Sequence, residues 1–173
     1  MMTNFISKDI ATLNINPFDM IGKKWMLITA GDQTACNTMT ASWGGMGVMW
    51  FMNVVNIVIR PQRYTKNFVD SNDTFSLSFF DEKYRKSLQY CGKVSGNDRK
   101  DKMENTDLTL CYDNDNNTPY FIEASTIIIC KKLYSTPFRK EDFIQKEIIP
   151  RAYSGGDFHT LYYGEILKTL IKE

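Results

Sequence analysis

An excess of charge of either sign is missing from this sequence: 21 Lys and Arg stand against 20 Asp and Glu, for a net charge of +1. There is no basic field of the kind that grips a nucleic-acid backbone, so nucleic acid is disfavoured as a partner and any anion site has to be local. Metal ligands are scarce as well. The four cysteines, Cys36, Cys91, Cys111 and Cys130, form no C-x-x-C pair, and the single histidine, His159, cannot complete a zinc shell. The longest apolar run, Ile127-Ile128-Ile129-Cys130, falls far short of the roughly 20 residues that cross a bilayer. Residues 1–19 contain no basic segment followed by an apolar one, so nothing directs export. The expectation is a cytoplasmic protein with reduced thiols and no membrane partner.

Internal repeats, heptads and Pro- or Ser-rich linkers are absent too, which makes residues 1–173 read as one domain. Gly44, Gly45 and Gly47 match neither a dinucleotide fingerprint nor a phosphate-loop lysine motif, which argues against a Rossmann fold. No nucleophile with a nearby base can be identified, so Cys36 and Cys91 read as buried small residues and no triad is available. The chain does have 43% apolar and 13% aromatic residues, enough to build a core. The nine methionines, Met46, Met49 and Met52 around Trp50 among them, read as core or interface filler.

The apolar pattern is that of strands. Residues 25–30 are apolar and short, Gly31-Asp32-Gln33 supplies a turn, and residues 38–43 resume in β-favouring residues, which predicts a hairpin. A β-branched run over residues 54–59 stops at Pro61, and residues 75–79 alternate with period two as a half-buried strand does. Further strands are predicted over residues 120–132 and 159–170, with a turn at residues 113–117. Short helices are predicted over residues 66–70 with Thr65 as N-cap, over residues 84–90, and over residues 140–149 ended by Pro150. About six strands and three or four short helices make a mainly β protein, a β-barrel with helical decorations, whose strand edges favour closure or pairing with a second chain.

Arg60, Arg63 and Lys66 crowd around a strand end, beside the hydroxyls of Tyr64 and Thr65 and a helix start. Guanidinium groups bind phosphate bidentately, and free amides at a helix start add positive potential, so this loop is a candidate anion site. Thr38, Met39, Thr40, Ala41, Ser42 and Trp43 precede Gly44-Gly45; such small and hydroxyl residues leave backbone groups approachable by a planar heteroaromatic. A third segment, residues 90–102, is dense in glycine, hydroxyls and cations. His159 stands alone at a strand start, a weak candidate for polarising a ligand atom. These residues by themselves imply a phosphorylated planar ligand and go no further.

Taken together the segments resemble the flavin reductase-like, or flavoredoxin-like, family of FMN-binding split barrels. The resemblance rests on Asn37-Thr38-Met39-Thr40-Ala41-Ser42-Trp43-Gly44, on Arg60-Pro61-Gln62-Arg63-Tyr64-Thr65, on Cys91-Gly92-Lys93-Val94-Ser95-Gly96 with Asp101-Lys102, and on His159-Thr160-Leu161-Tyr162-Tyr163-Gly164-Glu165, in that order. It implies a homodimer with FMN held non-covalently near the subunit interface. It also implies that Thr38, Met39, Thr40, Ala41, Ser42 and Trp43 line the flavin ring, and that Arg63, Tyr64, Thr65 and Lys66 address the phosphate. Ser95, Gly96 and Lys102 match more loosely, and Arg60 is left structural. The activity implied is hydride transfer from NADH or NADPH to FMN, with electrons passed onward to free flavin, a metal complex or a redox partner protein. The alternatives are a flavoredoxin-type carrier or flavin-binding module without NAD(P)H oxidation of its own, or a split barrel that binds pyridoxal phosphate or has lost its cofactor.

Overall fold

Period-two patterning gives a sheet one apolar face that has to be covered, and the computed structural model, which describes residues 5–173, shows how the chain achieves it. The strands are β1 (Phe5–Lys8), β2 (Met26–Gly31), β3 (Cys36–Ala41), β4 (Gly44–Met49), β5 (Met52–Ile59), β6 (Thr74–Phe79), β7 (Leu110–Tyr112), β8 (Pro119–Phe121), β9 (Thr126–Pro137) and β10 (Thr160–Lys172). One antiparallel sheet runs β3-β2-β6-β9-β10-β5-β4, with β1 pairing the far end of β10, while β7 and β8 form a separate ribbon. The two ends of that path, β3 and β4, are consecutive in sequence and are joined by Ser42 and Trp43 alone.

The sheet curls around one interior. Met26, Ile28 and Ala30 of β2 meet Val55, Ile57 and Ile59 of β5, Phe75 and Leu77 of β6, Ile128 and Cys130 of β9, and Tyr162 of β10. Fully burying side chains of this size contributes about 1.5–3 kcal/mol each, so this cluster dominates the stability. Register shifts in β10 at Tyr163/Gly164 and Ile166/Lys168 bend it as the sheet closes. Gly164 sits where β10 passes Phe75: a Cβ there would lie 2.6 Å from the ring. The outer face of β2 and β9 is buried in its turn, since Leu27, Ile127 and Ile129 pack under Leu88 and Cys91, with Leu108 and Phe121 beside them.

Three helices decorate the sheet: α1 (Thr65–Ser71), α2 (Arg85–Lys93) and α3 (Ile148–Ala152), with a π-helical turn over Phe18–Lys24. The hairpin over residues 25–43 forms as expected, its turn held by Asp32 Oδ1 accepting from the Thr34 and Ala35 amides at 2.7 and 3.1 Å. Four expectations need correction. The strands number ten among the described residues, because β1, the glycine-rich β4 and the three-residue β7 carry too little pattern to be seen, and residues 120–132 divide into β8 and β9. Strand β6 is buried on both faces, with Ser76 and Ser78 covered and Ser76 Oγ donating to the Pro119 carbonyl. The helix over residues 140–149 does not form; a single 3₁₀ turn spans Lys140–Asp142, and Pro150 lies in the first turn of α3, where its missing N–H has no helical acceptor to lose. Thr65 is inside α1, not its cap: Tyr64 occupies the cap position without a side-chain bond. Among the described residues no helix is long and apolar enough to cross a membrane.

Candidate functional site

Strand β3 is one end of the sheet path, and the turn after β5 brings Arg60 to the recess that β3 lines. Arg60 Nη1 pairs with the Asp157 carboxylate and its Nη2 donates to the Ala152 carbonyl at 2.9 Å. Its charge is therefore spent on holding the loop that follows α3. Gln62 Nε2 adds a 2.8 Å bond to the same carboxylate. Arg63 turns the other way, and among the described residues the only partner of its side chain is the Gly92 carbonyl, to which Nη1 donates at 2.8 Å. Burial holds its guanidinium pKa below the usual value.

Arg63 is the corner where two recesses meet. One, of about 210 Å³, is lined by Met39, Thr40, Ala41, Ser42 and Trp43 with Val58, Arg60 and His159 across from them. The other, of about 130 Å³, is lined by Asn37, Tyr64, Thr65, Lys93, Ser95, Gly96 and Lys102. Lys102 is 3% exposed, and among the described residues its ammonium donates to a single neutral acceptor, the Thr38 carbonyl, at 2.7 Å. Burial brings its pKa down to about 8, with Arg63 adding to the effect and Cys91 opposing it. A buried ammonium normally carries a carboxylate partner. Here two cations converge and neither has an acidic side chain as hydrogen-bond partner among the described residues, which is the arrangement an incoming anion completes.

Close packing shapes the anion recess. Asn37 Nδ2 donates to Thr65 Oγ1 at 2.8 Å, so the hydroxyl expected to cap a helix instead ties α1 to β3. Gly96 approaches so near that a Cβ would stand 2.1 Å from Asn37 Oδ1; any larger residue pushes the recess open. In the larger cleft His159 is 7% exposed, its ring tilted against Trp43 at a centroid distance of 5.2 Å. Burial, with the Arg60 charge, lowers its pKa to about 4, and Asp157 pulls the other way. The imidazole is thus neutral at pH 7.

Residues 19–173 match the family described as the flavin reductase like domain, and the match covers most of the chain. The chain belongs to the flavin reductase-like family. Solved structures agree in fold. An FMN-binding domain of a flavin reductases-like enzyme from Shewanella baltica OS155 superposes with a TM-score of 0.72 at 15% identity, over 98% of this chain and 78% of that one. Flavoredoxin of Desulfovibrio vulgaris (Miyazaki F) gives 0.67 at 20% identity, over 97% and 78%. An NADH:FAD oxidoreductase of Streptomyces globisporus C-1027, solved with NAD and FAD fragments, gives 0.61 at 16% identity, over 86% and 80%. No curated protein matches by sequence. The curled sheet is the FMN-binding split barrel, mainly β with short helices.

Within this flavin reductase-like fold the residues named from sequence fall into three groups. Met39, Thr40, Ala41, Ser42 and Trp43 line the larger cleft, and Arg63, Tyr64, Thr65, Ser95, Gly96 and Lys102 surround the smaller. Thr38 contributes its carbonyl to Lys102, while its side chain is spent between strands, bonded to Thr29 Oγ1 at 2.9 Å. Lys66 is not brought to either recess: its ammonium pairs with Asp70 at 2.6 Å, four residues on along α1. Asn37 and Lys93 stand inside the sequence motifs without being named there as binding residues, and nothing in the sequence points to Tyr153. Asn37 opens the first motif, but nothing in its neighbours shows that its amide reaches the first residue of a helix 28 positions away. Among the described residues no group of His, Cys, Asp and Glu is placed to hold a metal. The thiols of Cys36 and Cys91 are pushed up by burial, which suits neither to nucleophilic work.

Proposed function

We propose that this chain binds FMN non-covalently, with the phosphate between Arg63 and Lys102 and the ring along residues 39–43, and that it oxidises NADH or NADPH and passes the electrons onward. The observation that carries this reading is the buried Lys102 beside the half-buried Arg63, neither with an acidic hydrogen-bond partner among the described residues, next to an open cleft in an FMN-binding fold. When bound, FMN supplies the redox chemistry, taking a hydride from the nicotinamide and releasing two electrons to an acceptor. The chain's own residues bind and orient. Arg63 and Lys102 neutralise the phosphate, the β3 backbone borders the ring, and Trp43, which is 48% exposed, leaves one face approachable. No side-chain acid or base is needed, which accounts for the lack of a catalytic dyad.

The reading treats residues 1–173 as one flavin reductase-like domain, of which residues 1–4 lie outside the described ones, working as a cytoplasmic homodimer. What supports the dimer is an apolar hairpin: residues 41–59 contain no charged side chain, and Val48 and Phe51 at its tip are 72% and 105% exposed. A second reading, a flavoredoxin-type electron carrier, is favoured by the superposition on flavoredoxin. The deciding experiment is steady-state oxidation of NADH and NADPH by protein whose flavin occupancy is read from its visible absorbance. Turnover with either donor is expected. Full occupancy with no turnover leaves the carrier, and a colourless protein that takes up no FMN overturns both.

A further inference from the structure

Tyr153 ends α3 and is 4% exposed, and its hydroxyl lies 2.9 Å from His159 Nδ1. The phenol ring is fixed from several sides. It stacks on Phe158 at 4.8 Å, meets the edge of Phe143 at 5.7 Å, and lies under the Arg60 guanidinium at 5.3 Å. Arg60 in turn is anchored by Asp157 and the Ala152 carbonyl, so the loop that carries Tyr153 is tied to the end of β5.

A buried phenol has to place its proton on an acceptor. Among the described residues the only hydrogen-bond partner of the Tyr153 hydroxyl is His159 Nδ1. If Nδ1 carried the imidazole proton and donated it to the phenol oxygen, the phenol proton would meet no acceptor. If the phenol donates to Nδ1, both groups are satisfied and the neutral ring keeps its proton on Nε2. That nitrogen has no partner among the described residues, and its ring lines the larger cleft against Trp43.

We propose that Tyr153 is a positioning residue: by donating to Nδ1 it fixes His159 as the Nε2–H tautomer, so that the cleft presents a hydrogen-bond donor to a carbonyl oxygen of its ligand. The tautomer follows from this chain alone; the identity of the ligand rests on the flavin reading. A fixed donor selects for an acceptor atom opposite it and, with Arg63 in the same cleft, favours ligands whose charge there is negative or becomes so.

His159 is the only histidine of the chain, so imidazole ¹⁵N labelling yields one pair of nitrogen signals that needs no assignment. In cofactor-free protein at pH 7 the expected spectrum shows a protonated Nε2 and an unprotonated Nδ1. Tyr153→Phe keeps the ring and deletes the proton, and the minor Nδ1–H form should then rise several-fold. Saturating FMN, with occupancy read from its absorbance, should shift the wild-type Nε2–H signal and slow its exchange with solvent by roughly tenfold, as one added hydrogen bond does. An Nδ1–H ring or a mixture in the wild type overturns the proposal, and that measurement decides even if Tyr153→Phe fails to fold. An Nε2–H signal unmoved by bound FMN overturns the ligand contact. If no FMN binds, the flavin reading falls and the ligand contact with it, while the tautomer is judged on the cofactor-free spectrum.

Discussion

Among the described residues the Arg63 guanidinium makes one bond, to a backbone carbonyl, and keeps the rest of its planar donor fork for the recess. Charge-assisted bonds of that kind are worth about 1.5–3 kcal/mol, so Arg63→Ala should weaken FMN by roughly 30-fold and riboflavin by under about threefold, as read by fluorescence titration of both ligands. Equal losses would place the residue's action away from the phosphate. Lys102 answers to pH. Its pKa near 8 in the empty protein lies below the ordinary lysine value, so it is cationic at pH 7 and loses its proton as pH rises through 8. An anion binds the cationic form, so FMN affinity should fall by up to about tenfold per pH unit above 8 while riboflavin stays flat, and Lys102→Met should remove the step. The same depressed pKa means that the unfolded chain holds this proton up to higher pH, so the group's contribution to stability rises between pH 8 and 10.5.

At the scale of elements, the β4–β5 hairpin pairs regularly but departs from the usual turn chemistry at its tip. Its tip, Trp50-Phe51, takes left-handed φ values of 52° and 63°, which tight hairpin turns ordinarily give to Asn-Gly. Bulky residues held there cost about 1–2 kcal/mol each, and Phe51 stays fully exposed among the described residues, so it gains no burial in return. Phe51→Gly should therefore raise the thermal midpoint of the monomer by a few degrees while it weakens self-association by at least about tenfold, checked by calorimetry and sedimentation equilibrium. This element was also the hardest to read in advance. Residues 54–59 and 75–79 announce themselves as strands through β-branched runs and alternation, whereas the glycines of β4 carry no pattern, and its place is set by pairing with β5. Residues 140–149 look amphipathic, but aromatic contacts of Phe143 with Phe138, Tyr153 and Phe158 outweigh helix propensity there. The anion recess was half legible. Arg63 stands out beside Pro61, yet Lys66 had Asp70 one helical turn away to claim it, and that pair competes locally with any ligand.

For the whole molecule, the acid limb of stability separates by chemistry. The carboxylates Asp70, Asp113 and Asp157 have lowered values in the folded protein, so what they contribute is present above their unfolded value of 3.8 and is lost below it. His159 is different: it titrates near 4 when folded and at 6.5 when unfolded, so the unfolded chain takes up the proton first. Its contribution is complete above pH 6.5 and is lost between 6.5 and about 4. That loss amounts to roughly 2 kcal/mol once discounted for the water that reaches the cleft side of the ring. Urea midpoints at pH 7 and 4.5 should show this drop, and His159→Gln should flatten it.

The two-residue step Ser42-Trp43 joins the strand that borders the cleft to the uncharged strand at the sheet's open end. Whatever orders one of these strands constrains the other. If the proposed cofactor and a second copy of the chain each favour the same setting of that step, then by thermodynamic reciprocity cofactor supply and protein concentration become interchangeable controls: scarce flavin releases subunits, and dilution releases flavin.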